Sequence, residues 1–153
     1  MASRRRAREF ALAALTAAEQ AGATAAASLT DLWATLVEEE GWADARAADS
    51  EEIEFAQRLA FGVEARRAEI DTQLEAISTH WRVGRMPVVD RNVLRVAAFE
   101  LMACDEIPPA VTINEAVEIA KRFGGADSGA FVNGLLDRLA RQVGRLAGRA
   151  EEA

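Results

Sequence analysis

Apolar residues along this chain recur at intervals of three and four positions, and no run alternates with a period of two, so the pattern predicts helices and no strand. A first helix is predicted from about Arg5 to Gln20, with Phe10, Ala11, Ala14, Leu15 and Ala18 on one stripe and Gly22 just beyond its end. The run from Ser28 to Asp31 reads as a capping signature for a second helix. There Leu29, Leu32, Trp33 and Leu36 share a face, and Gly41 ends the pattern. Asp49 and Ser50 are candidate caps for a longer segment that opens on Glu51 and Glu52, acids suited to a helix N-terminus. Its apolar positions, Ile53, Ala56, Ala60, Val63, Ile70, Leu74 and Ile77, keep helical spacing except where Arg67 falls.

The stretch HWRVGRMP forms a hinge, and Pro87 suits the first turn of the next helix. That helix has a stripe of Val89, Val93, Val96, Ala97 and Leu101, with Arg91 and Arg95 on another face. Pro108 and Pro109 make the sharpest break in the chain. Thr112 to Glu115 then reads as a capping box, followed by Val117, Ala120 and Phe123. Gly124 and Gly125 stop the pattern, and Asp127 or Ser128 caps a last helix carrying Phe131, Val132, Leu135, Leu136, Leu139, Val143 and Leu146. The expectation is an all-α fold of six to seven helices, as two small helical bundles sharing a long middle helix. One domain is expected over residues 1–150, with a frayed acidic tail at 151–153.

Composition narrows the function classes. Half of the 153 residues are apolar, enough to fold around a core. Cys104 is the only cysteine and His80 the only histidine, so neither a disulfide within the chain nor a two-histidine metal site is expected. Cys104 reads as a small buried apolar residue and His80 as a packing or hydrogen-bonding one. The Gly-rich stretch FGGADSGAF lacks the Gly-Lys-Ser/Thr of a phosphate loop. No stretch approaches the ~20 apolar residues of a membrane helix. These features point to a cytoplasmic, non-enzymatic protein that needs no metal or cofactor and touches no membrane.

Charge changes the picture. The chain carries a net charge of −7, yet SRRRAREF sets Arg4, Arg5, Arg6 and Arg8 together near its start. Consecutive arginines cannot share one helix face, so they present charge around a short arm, which suits an irregular polyanion such as RNA. Guanidinium groups pair with phosphate and stack on bases. The bland alternative is solubility. Arg4 and Arg5 before Ala-rich sequence also resemble a twin-arginine export signal, but the apolar run from Phe10 is short and ends at Glu19, so the segment reads as part of the fold. A second row, Arg138, Arg141, Arg145 and Arg149, lies on one stripe of the last helix, where cations offset the helix dipole or bind a partner. At the start of that helix, backbone N–H groups suit an anion and Phe131 suits a base, although Asp127 repels phosphate and Phe131 also has core spacing.

Four stretches, RRRAREFALAAL, VDRNVLRVAAFEL, IPPAVTINEAVEIAKRFG and SGAFVNGLLDRLA, occur in this order, and together they resemble the NusB family of bacterial antitermination factors. The resemblance implies two helical bundles, and binding of the boxA element of nascent RNA together with NusE, a small-subunit ribosomal protein. It implies a place in the transcription elongation complex on ribosomal RNA operons. By the same resemblance the RNA-binding residues fall on Arg4, Arg5, Arg6 and Arg8 and on Asp127, Ser128 and Phe131, and Asp90 falls on the NusE side. The chain departs from the family in two places. LAALTAAEQ stands where members commonly carry aromatic residues after the arginines, which bears on RNA affinity, and Gly129 and Ala130 replace positions often longer or basic. Two other readings are a structural homodimer, as some members form, and the RNA-targeting appendage of a ribosomal RNA methyltransferase.

Overall fold

The computed structural model describes residues 3–38 and 49–146, so the predicted stop at Gly41, Arg149 and the tail at 151–153 lie outside the described residues. The described residues form seven α-helices and one short 3-10 turn, with no strand. They belong to two compact units, one running to Ala65 and the other starting at Arg66.

The first unit holds α1 (Arg4–Ala21), α2 (Ala25–Glu38) and α3 (Ser50–Ala65). Ser3 caps α1, its hydroxyl accepting a hydrogen bond from the Arg6 N–H at 3.2 Å. Helix α2 begins three residues before the predicted cap at Ser28. Thr24 caps it instead, through the Ala27 N–H at 3.2 Å, and Ser28 is buried within the helix. The Asp49 carboxylate caps α3 through the Glu52 N–H at 2.9 Å, as expected. Phe10 is fully buried between Ala7 and Ala56, with Leu32, Trp33 and Phe55 packed around them. Phe10 and Trp33 meet edge to face, with ring centroids 4.9 Å apart, a contact worth about 0.5–1.5 kcal/mol beyond its area.

The predicted long middle helix is two helices, because α3 ends at Ala65 and α4 runs Arg67–Ile77. Arg66 between them has φ −111° and ψ 18°, outside helical values, so the irregular spacing at Arg67 marks a true break. Arg66 donates two hydrogen bonds to Glu69 in the first turn of α4, at 2.9 and 3.0 Å. These bonds hold the Glu69 carboxyl below its ordinary pKa and raise that of Arg66.

The second unit is built around α5 (Val88–Ala103), which packs against α4, α6 (Pro109–Phe123) and α7 (Ser128–Gln142). Most of α5 is buried, including Val93, Leu94, Ala97, Ala98 and Leu101. Each large side chain so buried contributes about 1.5–3 kcal/mol. The buried Arg95 grips Asp71 of α4 in a two-toothed pair at 2.9 and 3.0 Å, and also donates to Asn92 at 3.2 Å. Helix α6 starts at Pro109, not at the predicted box. The fixed φ of proline preorganises a first turn, and Thr112, inside the helix, donates to the buried Glu100 at 3.2 Å. Cys104 is buried at the end of α5, and His80 is exposed.

Candidate nucleic-acid interface

The four N-terminal arginines divide. Arg4 and Arg5 are exposed, whereas Arg6 and Arg8 are buried. All lie in the first turns of α1, where 100° steps send alternate side chains to different faces. Arg6 faces α3, with its guanidinium 3.5 Å from the buried Glu52 carboxylate and stacked 5.1 Å from the Phe10 ring centroid. Arg4 and Arg8 place their guanidiniums over Phe55 of α3, at 5.2 and 5.5 Å. A ring face attracts a cation, so Phe55 holds Arg4 in place while leaving it exposed. Ser3, Arg4, Ala7, Glu51, Glu52 and Phe55 line a hollow of about 320 Å³ beside this arm.

The remaining predicted residues come together in the second unit. Asp90, Asp127, Ser128 and Phe131 line one cleft of about 440 Å³ with Trp81, Pro87, Gly125 and Ala126. The cleft forms where the first turn of α5 meets the first turn of α7. Ser128 joins them: its hydroxyl donates to the Asp90 carboxylate at 2.7 Å and accepts from the Gly125 N–H at 2.9 Å. Both side chains are buried. Gly124 is required for this closure, because a Cβ there would stand 2.5 Å from the Ser128 hydroxyl oxygen. Asp127 occupies the cap position of α7, but its side chain makes no capping bond and the residue is exposed. Asp90 thus braces this cleft from a buried position.

Trp81 is the residue that periodicity did not single out. It is about half exposed, and its ring centroid lies 6.4 Å from that of Phe131, tilted by 56°. The hinge that carries it is held by its neighbours. The Ser78 hydroxyl donates to the Trp81 carbonyl, Glu75 accepts from the Val83 N–H at 3.0 Å, and Arg91 donates to the Met86 carbonyl at 2.8 Å. A large aromatic ring in a polar, arginine-flanked hinge was the available signal.

The arginine row of α7 is engaged with the protein itself. Arg138 donates to the Ile77 carbonyl at 3.1 Å, and Arg141 pairs with Asp137. Arg145, just past the helix, donates to the carbonyls of Leu101 and Ile107 at 2.8 and 2.7 Å.

The NusB family model matches residues 5–141. The chain is 46% identical over 140 residues to the transcription antitermination protein NusB of Myxococcus xanthus, covering 92% of this chain and 96% of that one. Among solved structures, NusB of T. maritima is 37% identical and superimposes with a TM-score of 0.79, over 93% of this chain and 94% of its own. A solved complex of the antitermination factors NusB and NusE with double-stranded RNA shares the fold, with a TM-score of 0.76 at 22% identity over 91% of this chain and 96% of its counterpart. The chain belongs to the NusB family.

Proposed function

We infer that this chain is a non-catalytic adaptor of transcription antitermination. It binds boxA-type single-stranded RNA together with NusE and joins the elongation complex on ribosomal RNA operons in the cytoplasm. The observation that carries this reading is the near end-to-end similarity, at 46% identity, to an antitermination protein. A protein of the same fold solved with NusE and double-stranded RNA supports NusE and RNA as the classes of partner.

The geometry suggests how the work is divided. Arg4 and Arg5 are the exposed cations of α1 and meet phosphate. Arg6 and Arg8, turned inward onto Glu52 and Phe55, hold the arm in its helical form. At the start of α7, Phe131 with Trp81 offers aromatic surface to an unstacked base, which is worth about 1–3 kcal/mol per base. Asp90 and Ser128 set the shape of that cleft, and the side on which Asp90 lies, at the start of α5, is the one proposed for NusE.

Fluorescence anisotropy of a boxA-like RNA, beside a scrambled RNA and with and without purified NusE, tests this reading. Preference for the boxA-like RNA that strengthens with NusE is expected. Equal binding of both RNAs under both conditions would remove the adaptor function.

A further inference from the structure

Helix α7 opens with Ser128, Gly129, Ala130 and Phe131, so its first turn carries no cation, and the exposed Asp127 precedes it. A surface that meets a phosphate backbone needs positive charge there. The structure supplies it from another helix. Lys121, the single lysine among 18 basic residues, lies in the last turn of α6. Its aliphatic stem runs across the start of α7, against Gly129. A Cβ on Gly129 would stand 2.9 Å from Lys121 Cγ and 3.2 Å from its Cε. Gly129 is itself buried beside this stem, and a larger residue there would push the lysine stem aside. The ammonium remains exposed, with Glu118 at 3.6 Å as an exposed partner. Such a surface pair is worth about 0–1 kcal/mol and is readily exchanged for a phosphate.

Position around α7 adds to this. Gly129 and Phe131 are separated by about 200° around the helix axis. Lys121 and Phe131 therefore flank the first turn on opposite sides, with the exposed Ala130 between them. A single strand crossing this turn meets a cation on one side and an aromatic ring on the other.

We propose that Lys121, laid across Gly129, is a phosphate-binding residue of the RNA surface at the start of α7 and replaces a cation that α7 itself lacks. This rests on the RNA-binding reading above. It assigns the residue that contacts the backbone at this end of the site, and it gives Gly129 a purpose.

The test is the salt dependence of binding to a boxA-like RNA, measured by anisotropy for the full chain and its variants. Each phosphate contact on a single strand contributes about 0.7 to the slope of log affinity against log salt. Lys121→Ala is expected to flatten the slope by about that amount and to weaken binding roughly two- to fivefold at low salt. Adding Ala130→Lys to that variant restores the slope. Arg141→Ala removes the same charge elsewhere on α7 and leaves the slope unchanged. An unchanged slope for Lys121→Ala, with the parent chain still preferring the boxA-like RNA, would overturn the role of Lys121 and leave the RNA reading standing. A parent chain with no preference for that RNA would remove the reading itself and this inference with it.

Discussion

The Ser128 hydroxyl donates a 2.7 Å hydrogen bond to the buried carboxylate of Asp90, tying the first turn of α7 to the first turn of α5. A carboxylate without water needs donors, and a hydrogen bond to a charged acceptor is worth about 1.5–3 kcal/mol. Ser128→Ala deletes that donor and also orphans the Gly125 N–H that the hydroxyl accepts. The variant is expected to lose about 2 kcal/mol in urea unfolding. Stability equal to the parent would mean that the two helices are held together by their apolar contacts alone.

Arg6 and Arg5 are neighbours with opposite fates. Arg6 is buried against Glu52 on α3, and Arg5 is exposed. Removing one partner of a buried ion pair takes away part of what balances the other charge, at a cost of up to about 3–5 kcal/mol. Arg6→Ala should therefore appear mainly as a loss of thermal stability. The double variant Arg4→Ala with Arg5→Ala, which gives up the exposed stacking of Arg4 on Phe55, should cost no more than about 1 kcal/mol and lose RNA affinity instead. Equal destabilisation by the two would refute the division of the arm.

That division also shows where sequence reasoning reached its limit. Helix ends at Gly22, Pro87, Pro108 and Gly124 follow from backbone chemistry that is local to each residue, and the structure places breaks there. The starts of α2 and α6 do not follow from the polar residues at Ser28 and Thr112, because those side chains are buried inside their helices. Thr112 bonds sideways to Glu100 on another helix, a partner that no local motif reveals. Arg6 and Arg8 were legible as a cationic cluster but not as inward-facing, since that depends on Glu52 and Phe55 of α3. At the cleft, Phe131 and Asp127 were legible as candidates from the chemistry of a helix start, and the family resemblance added Ser128 and Asp90. Trp81 came only from the structure, because a residue in a hinge has no periodicity to betray its face.

Asp127 is exposed beside the cleft and makes no capping bond. Its negative charge opposes an approaching phosphate in proportion to proximity, and salt screens it over about 10 Å at 0.1 M. Asparagine is as good a residue as aspartate at a helix cap, so Asp127→Asn should leave the unfolding midpoint where it is. RNA affinity should rise, with the gain shrinking as salt is added. Unaltered or weaker affinity in the folded variant would place the RNA away from the start of α7.

The arginine row on α7 is open to both a structural and a binding role in sequence, and the structure favours the former at Arg145. Its guanidinium donates to the carbonyls of Leu101, in the last turn of α5, and Ile107, in the connection to α6. Both acceptors are main-chain groups near a helix end, where carbonyls lack intrahelical donors. Arg145→Met keeps the apolar stem and removes both bonds. The side chain is mostly buried, so water replaces them poorly, and a loss of about 2 kcal/mol is expected. Arg141→Ala, which breaks only an exposed pair with Asp137 on its own helix, should cost less than about 0.5 kcal/mol. Neither variant should alter the salt slope of RNA binding. If Arg145→Met flattened that slope while its unfolding midpoint stayed unchanged, the row would be a nucleic-acid contact and the carbonyl bonds incidental.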